Sequence, residues 1–120
     1  MTRICGPAED FASSALLGFA SLHRDIVRPV KGGVLRARPA REGKVSLVVG
    51  GGSGHFPAFN GFVGFGFADA AVAGDVFASP STQAILRVAR EAQLGGGVIL
   101  GYGNYAGDVL NFSIAAERLR

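Results

Sequence analysis

The sequence predicts an α/β fold with a mostly parallel sheet flanked by helices, and three observations carry that reading. Helix-like and strand-like apolar patterns alternate along the 120 residues. The strand-like runs are short and almost continuously apolar, as in strands buried on both faces, with KVSLVV at residues 44–49 the clearest. Two of these runs end abruptly in glycine-rich loops, and open parallel sheets bind ligands outside the carboxyl ends of their strands.

Residues 8–24 read as the first helix. Phe11, Ala15, Leu16, Phe19 and Leu22 recur at three- and four-residue spacings and so share one face. Glu9 and Asp10 stand near its start, where the helix dipole favours negative charge, and His23 stands at its end as a partner for the opposite pole. Pro29 and Gly32-Gly33 break the regularity, and residues 34–42 read as an extended loop. Residues 44–49 form the first buried strand. The following stretch, GGGSGHFPAFNGFVGFG, is crowded with Gly and Phe, and its spacing predicts a helix beginning near Pro57. Residues 70–73 make a short second strand. Ser79-Pro80 supplies an N-cap and a first helical residue for the next helix. Its apolar face is Ile85, Val88, Ala89 and Ala92, its wet face Arg87, Arg90 and Glu91, and Gly95 its terminator. Residues 98–101 are the third strand, followed by the loop YGNYAGD and a last helix from Asp108 or Val109 to Arg120. That helix stops without a glycine, proline or cap, so the chain reads as the front portion of something longer.

Composition narrows the function. With 48% hydrophobic and 18% charged residues the chain is not disordered, and its 19 glycines have no collagen period. No run of about 18 apolar residues is unbroken, which excludes a membrane span. The single Cys5 excludes an internal disulfide framework and a Cys-based zinc site, and the first ten residues lack the apolar core of a secretory signal. A cytoplasmic protein is expected. Seven of the twelve basic residues fall between Arg24 and Lys44. No aromatic residue interleaves with them, so a stacking platform for single strands has no support, and the run reads as a solvated connector rather than a nucleic-acid surface.

Two loops carry the candidate chemistry. In VVGGGSGHF, consecutive glycines after a strand would let bare backbone N–H groups approach a ligand. The loop is not a P-loop, because no lysine follows the glycines. It also fails the dinucleotide pattern and the hydrolase elbow around Ser53, because His55 occupies the place a glycine must take. Packing alone could account for the glycines. His55 adds a side chain suited to moving protons near neutral pH, or one that merely caps or fills a gap. The second loop, GYGNYAGD, ends in Asp108, either an N-cap or a carboxylate aimed at the crevice of His55. Parallel neighbouring strands would bring both loops to one sheet edge, where an acid/base pair with glycine-rich walls suits a small hydroxylated substrate. No spacing typical of a metal site occurs. The nine phenylalanines are most simply core, with a subunit contact as a second use.

At GGGSGH with Pro57, GDVFASPS at residues 74–81 and GNYAGDVLNF at residues 103–112, the sequence resembles the substrate-binding (K) subunit or domain of dihydroxyacetone kinases. The three motifs match in order and spacing, from the first helix to Arg120. The resemblance implies that residues 1–120 are the N-terminal part of a larger α/β domain, with no second domain present. It implies phosphorylation of a short ketose. Gly52, Ser53, Gly54, His55, Gly103 and Asp108 would bind substrate, and His55 and Asp108 would be catalytic. It also implies that this chain binds no cofactor: ATP-Mg or a phosphoprotein donor would act through a nucleotide-binding L-type subunit or domain, and the full-length form would be a homodimer. Gly103 stands where many relatives carry a substrate-holding lysine, and Phe56 replaces a common glutamate. The HFPAF and YGNYAGD versions resemble an erythrulose kinase branch. The family's covalent histidine lies beyond the matched stretch, so the isolated chain would be inactive. A non-catalytic binding or regulatory module of the same fold, or an inactive remnant, is the alternative.

Overall fold

The computed structural model describes residues 6–120; Cys5 and the reading of the extreme N-terminus lie outside them. A 3₁₀ turn at Ala8–Asp10 leads into α1 (Phe11–Leu22), followed by β1 (Val27–Val30), β2 (Gly33–Arg36), β3 (Ser46–Gly51), β4 (Ala70–Ala73), α2 (Thr82–Ala92), β5 (Val98–Tyr102) and α3 (Ala106–Leu119). The strands form one sheet in the order β1-β2-β4-β3-β5. The three strands read from the sequence are β3, β4 and β5, and they are the parallel ones. The stretch expected to be irregular supplies an antiparallel hairpin, β1 and β2, which joins β4 and makes the sheet mixed.

That hairpin turns at Lys31-Gly32, where Gly32 has φ +90°, a conformation that favours glycine. Pro29 is tolerated because β1 is an edge strand. The basic run is therefore not a solvated connector throughout. Arg36 and Lys44 both pair with the buried Asp69, which also accepts the Leu47 N–H at 2.8 Å. Burial pushes the Asp69 carboxyl up, but hydrogen bonds from Lys44 and Leu47, the Lys44 charge and the Arg36 bond outweigh it and hold it below the usual carboxylate range.

Alternation along the strands separates two cores. On one face Leu35, Val48, Ala70 and Val72 meet Ile85, Leu86, Val88 and Ala92 of α2 and Phe112 and Ala115 of α3. On the other, Val34, Val49 and Ala71 meet Leu16 and Ala20 of α1. The helix expected near Pro57 is absent. Residues 52–69 cross from β3 to β4 through two 3₁₀ turns, Ser53–His55 and Asn60–Phe62. Three glycines between Pro57 and Phe67 explain this, since each costs a helix about 1 kcal/mol relative to alanine. The cap of α2 is Ser81, whose Oγ accepts the Ala84 N–H at 3.2 Å, rather than Ser79. The helix ends at Ala92, and Gly95 lies three residues further on, in the turn before β5. No helix among the described residues is long and apolar enough to cross a membrane.

Candidate functional site

The register of the parallel strands decides where the loops go. Gly50 pairs with Tyr102 and Gly51 with Ala73, so the segments after β3, β4 and β5 leave the sheet at one edge. The loop after β3 and the loop after β4 are joined by their backbones. Gly74 N–H donates to Gly51 O at 2.9 Å, Ser53 N–H to Asp75 O at 3.0 Å and Gly54 N–H to Val76 O at 2.9 Å. Gly54 is required for that approach, because a Cβ there would lie 2.4 Å from Val76 O. The Ser53 and Gly54 amides are thus used within the protein, so the expectation of bare amides does not hold at these two positions, where close packing of the loops takes them up.

Between these loops and the start of α3 lies an open cleft of about 480 Å³, lined by Gly52, Gly54, His55, residues 76–79, residues 105–107 and Asp108. His55 and Asp108, expected to converge, do face the same cleft. His55 is exposed on its 3₁₀ turn. Asp108 is only 5% exposed and sits in the first turn of α3, so it is not the N-cap. It falls on the buried stripe Asp108, Phe112, Ala115, the four- and three-residue spacing that turns one helix face inward. Its Oδ1 is buried with no hydrogen-bond partner. Among the described residues no lysine or arginine lines the cleft, a lining that suits a neutral hydroxylated molecule better than a nucleoside triphosphate.

Two expected site residues fall outside this lining. Gly103 packs behind Asp108, where a Cβ would come within 3.1 Å of its Oδ2. Ser53 faces a second, apolar hollow of about 480 Å³ between α1 and residues 51–60, and its Oγ is buried without a partner. That hollow takes up the apolar face of α1. Leu16 and Ala20 are core, but Phe11 and Leu22 are 61% and 77% exposed. Of the nine phenylalanines Phe112 is fully buried within this chain and Phe19 and Phe59 pack partly buried against the α1-side core, while the other six are exposed on it, so the reading of them as core holds for three. His23 caps α1 through its backbone N–H, and its ring lies 4.7 Å from that of Phe19. Sequence reasoning passed over Tyr105 and Phe59, whose rings flank His55; their only sequence signal was membership of the same two motifs.

Residues 17–120 match the Dak1 domain. The chain belongs to the Dak1 domain family. This Dak1 chain is 55% identical over 119 residues to an L-erythrulose kinase of Pectobacterium atrosepticum, covering 99% of itself and 20% of that protein. It is 44% identical over 118 residues to the dihydroxyacetone-binding subunit of a PTS-dependent dihydroxyacetone kinase of Listeria innocua, covering 98% of itself and 36% of that protein. The Dak1 chain thus spans about a fifth to a third of the length of these relatives. Its fold matches the crystal structure of the dihydroxyacetone kinase from C. freundii in complex with AMP-PNP and Mg²⁺ with TM-score 0.88 and 34% identity, over 99% of this chain and 23% of that one. It also matches the dihydroxyacetone kinase operon co-activator Dha-DhaQ with TM-score 0.82 and 31% identity, over 89% of this chain and 33% of that one.

Proposed function

We propose that this Dak1 chain is the ketose-binding part of a kinase that phosphorylates the terminal hydroxyl of erythrulose or dihydroxyacetone. The observation that carries the reading is the meeting of His55 and Asp108, from separate loops, in one cleft where an Asp108 oxygen is buried and unpaired. A carboxylate oxygen left so is matched by a donor from a ligand, and a sugar hydroxyl supplies one. His55 takes the proton from the terminal hydroxyl as its oxygen forms the new bond to phosphorus and the bond from phosphorus to the donor breaks. Asp108 orients the ketose by accepting a hydroxyl hydrogen bond. That the described cleft lining holds no cationic residue supports a reading in which the donor, ATP-Mg or a phosphoprotein, is brought by a partner subunit or domain of the L type.

A second reading is favoured by the likeness to the operon co-activator: a ketose-binding module with no turnover. One experiment separates the two. The chain is exchanged for the matching segment of the Pectobacterium atrosepticum L-erythrulose kinase, and phosphorylated ketose is measured by mass. Transfer to erythrulose or dihydroxyacetone is expected. Ketose binding to the chain with no transfer by the exchanged protein would favour the binding module, and neither binding nor transfer would overturn both.

A further inference from the structure

A general base works only within hydrogen-bond reach of its proton, so its ring must be held. Histidines that do this are usually oriented by a carboxylate or carbonyl on the second ring nitrogen. Among the described residues no side-chain hydrogen bond holds His55, and Asp108 makes none to it. Two aromatic rings flank it instead. Phe59 meets it edge-on with centroids 6.1 Å apart at 73°, and Tyr105 meets it tilted at 6.0 Å and 42°.

The two rings have different anchors. Phe59 lies four residues beyond His55 on the same segment, wedged against Gly51 and edge-on to Phe62 at 6.1 Å. Tyr105 is the residue from which α3 starts, three positions before Asp108. Its ring therefore links the segment bearing the base to the helix bearing the carboxylate; α3 is hydrogen-bonded to the loop after β4 through Asn111 and Pro80, but no described hydrogen bond runs directly between α3 and the His55 segment. We propose that Tyr105 is a positioning residue of this site: its ring, rather than its hydroxyl, holds the His55 imidazole over the cleft at a fixed relation to Asp108. The role in turnover rests on the kinase reading above; the contact itself does not. An aromatic pair of this kind biases a side-chain orientation by about two- to tenfold.

The test has two arms. In the first, imidazole proton signals are recorded on the chain itself without ketose; His55 and His23 are its two histidines, so His23 is the internal control. Tyr105→Leu is expected to move the His55 signals by loss of the ring-current shift, leave those of His23 in place, and be rescued by Tyr105→Phe. Tyr105 is 66% exposed, so neither change removes a core residue. Unmoved His55 signals in Tyr105→Leu would overturn the proposal, as would a Tyr105→Phe variant displaced as far as Tyr105→Leu. In the second arm, in the exchanged kinase, Tyr105→Leu is expected to lower kcat about two- to tenfold with KM for ketose little changed, and Tyr105→Phe to recover it. A loss confined to KM would make Tyr105 a substrate contact and overturn the proposal. If the exchanged kinase with Tyr105 intact transfers nothing, the kinase reading fails and the first arm alone decides the positioning role.

Discussion

A buried polar group without a partner costs roughly 1–3 kcal/mol, and Asp108 carries such a cost in its Oδ1. His55, by contrast, stands in solvent and makes no side-chain hydrogen bond among the described residues, so its removal costs the fold little. The two residues should therefore separate in experiment. In the exchanged kinase His55→Asn is expected to lower kcat by about 10²–10⁴-fold while ketose binding changes much less; kcat within about threefold of the parent would make His55 structural. Asp69 behaves differently again, because its charge is satisfied by Arg36, Lys44 and Leu47. Its carboxyl is held below the ordinary value, so its contribution to stability is fully present above about pH 4 and is lost as the pH falls through the folded value. Urea unfolding of Asp69→Ala should show a loss of about 3 kcal/mol at neutral pH, with the gap to the parent narrowing at lower pH. An unchanged gap at pH 2.5 would contradict the linkage.

At the scale of elements, the site depends on how its loops are tied down. Ser81 starts α2 with a side-chain cap, and Ser81→Ala should cost about 1 kcal/mol, read as a lower Tm, without altering ketose binding. Gly54 lies closer to the cleft. A Cβ there would meet Val76 O, so Gly54→Ala must part the loops after β3 and β4, one of which carries His55. The expected outcome is weaker ketose binding together with a lower Tm; ketose affinity equal to the parent would mean that the cleft tolerates separation of its walls. The Ser81 change alters a helix start away from the cleft lining, whereas the Gly54 change acts on the lining itself. Comparing them separates general stability from site geometry.

Over the whole molecule, acid/base residues and cationic phosphate binders are distributed unevenly. Among the described residues the cleft holds His55 and Asp108 but no lysine or arginine, and two of the chain's cations, Arg36 and Lys44, are engaged by Asp69. Calorimetric titration of the chain with ATP-Mg is accordingly expected to show no micromolar affinity, and a micromolar value would return the donor site to this chain.

The sequence by itself determined the α/β class, the three parallel strands and α2, and it offered a shared crevice for His55 and Asp108 as one of two readings, the one in which both line a single cleft. These follow from periodicity and from the rule that parallel strands send their following loops to one edge. It also contained the motifs that match the family. The β1–β2 hairpin was not legible, because VRPV and GVLR carry arginines and a proline, and only pairing of β1 with β2 and of β2 with β4 makes them strands. Nor could spacing show that the Ser53 and Gly54 amides are used by Asp75 and Val76, or that Asp108 sits inside the first turn of α3 rather than before it. Nor does hydrophobicity by itself say which phenylalanine this chain buries: Phe112 lies in the core with α2 and the sheet, while Phe77 is fully exposed. Phe59 reaches His55 from the same segment, but Tyr105 becomes its neighbour only when the segment after β3 meets the start of α3, and such long-range placement is what tertiary structure alone decides.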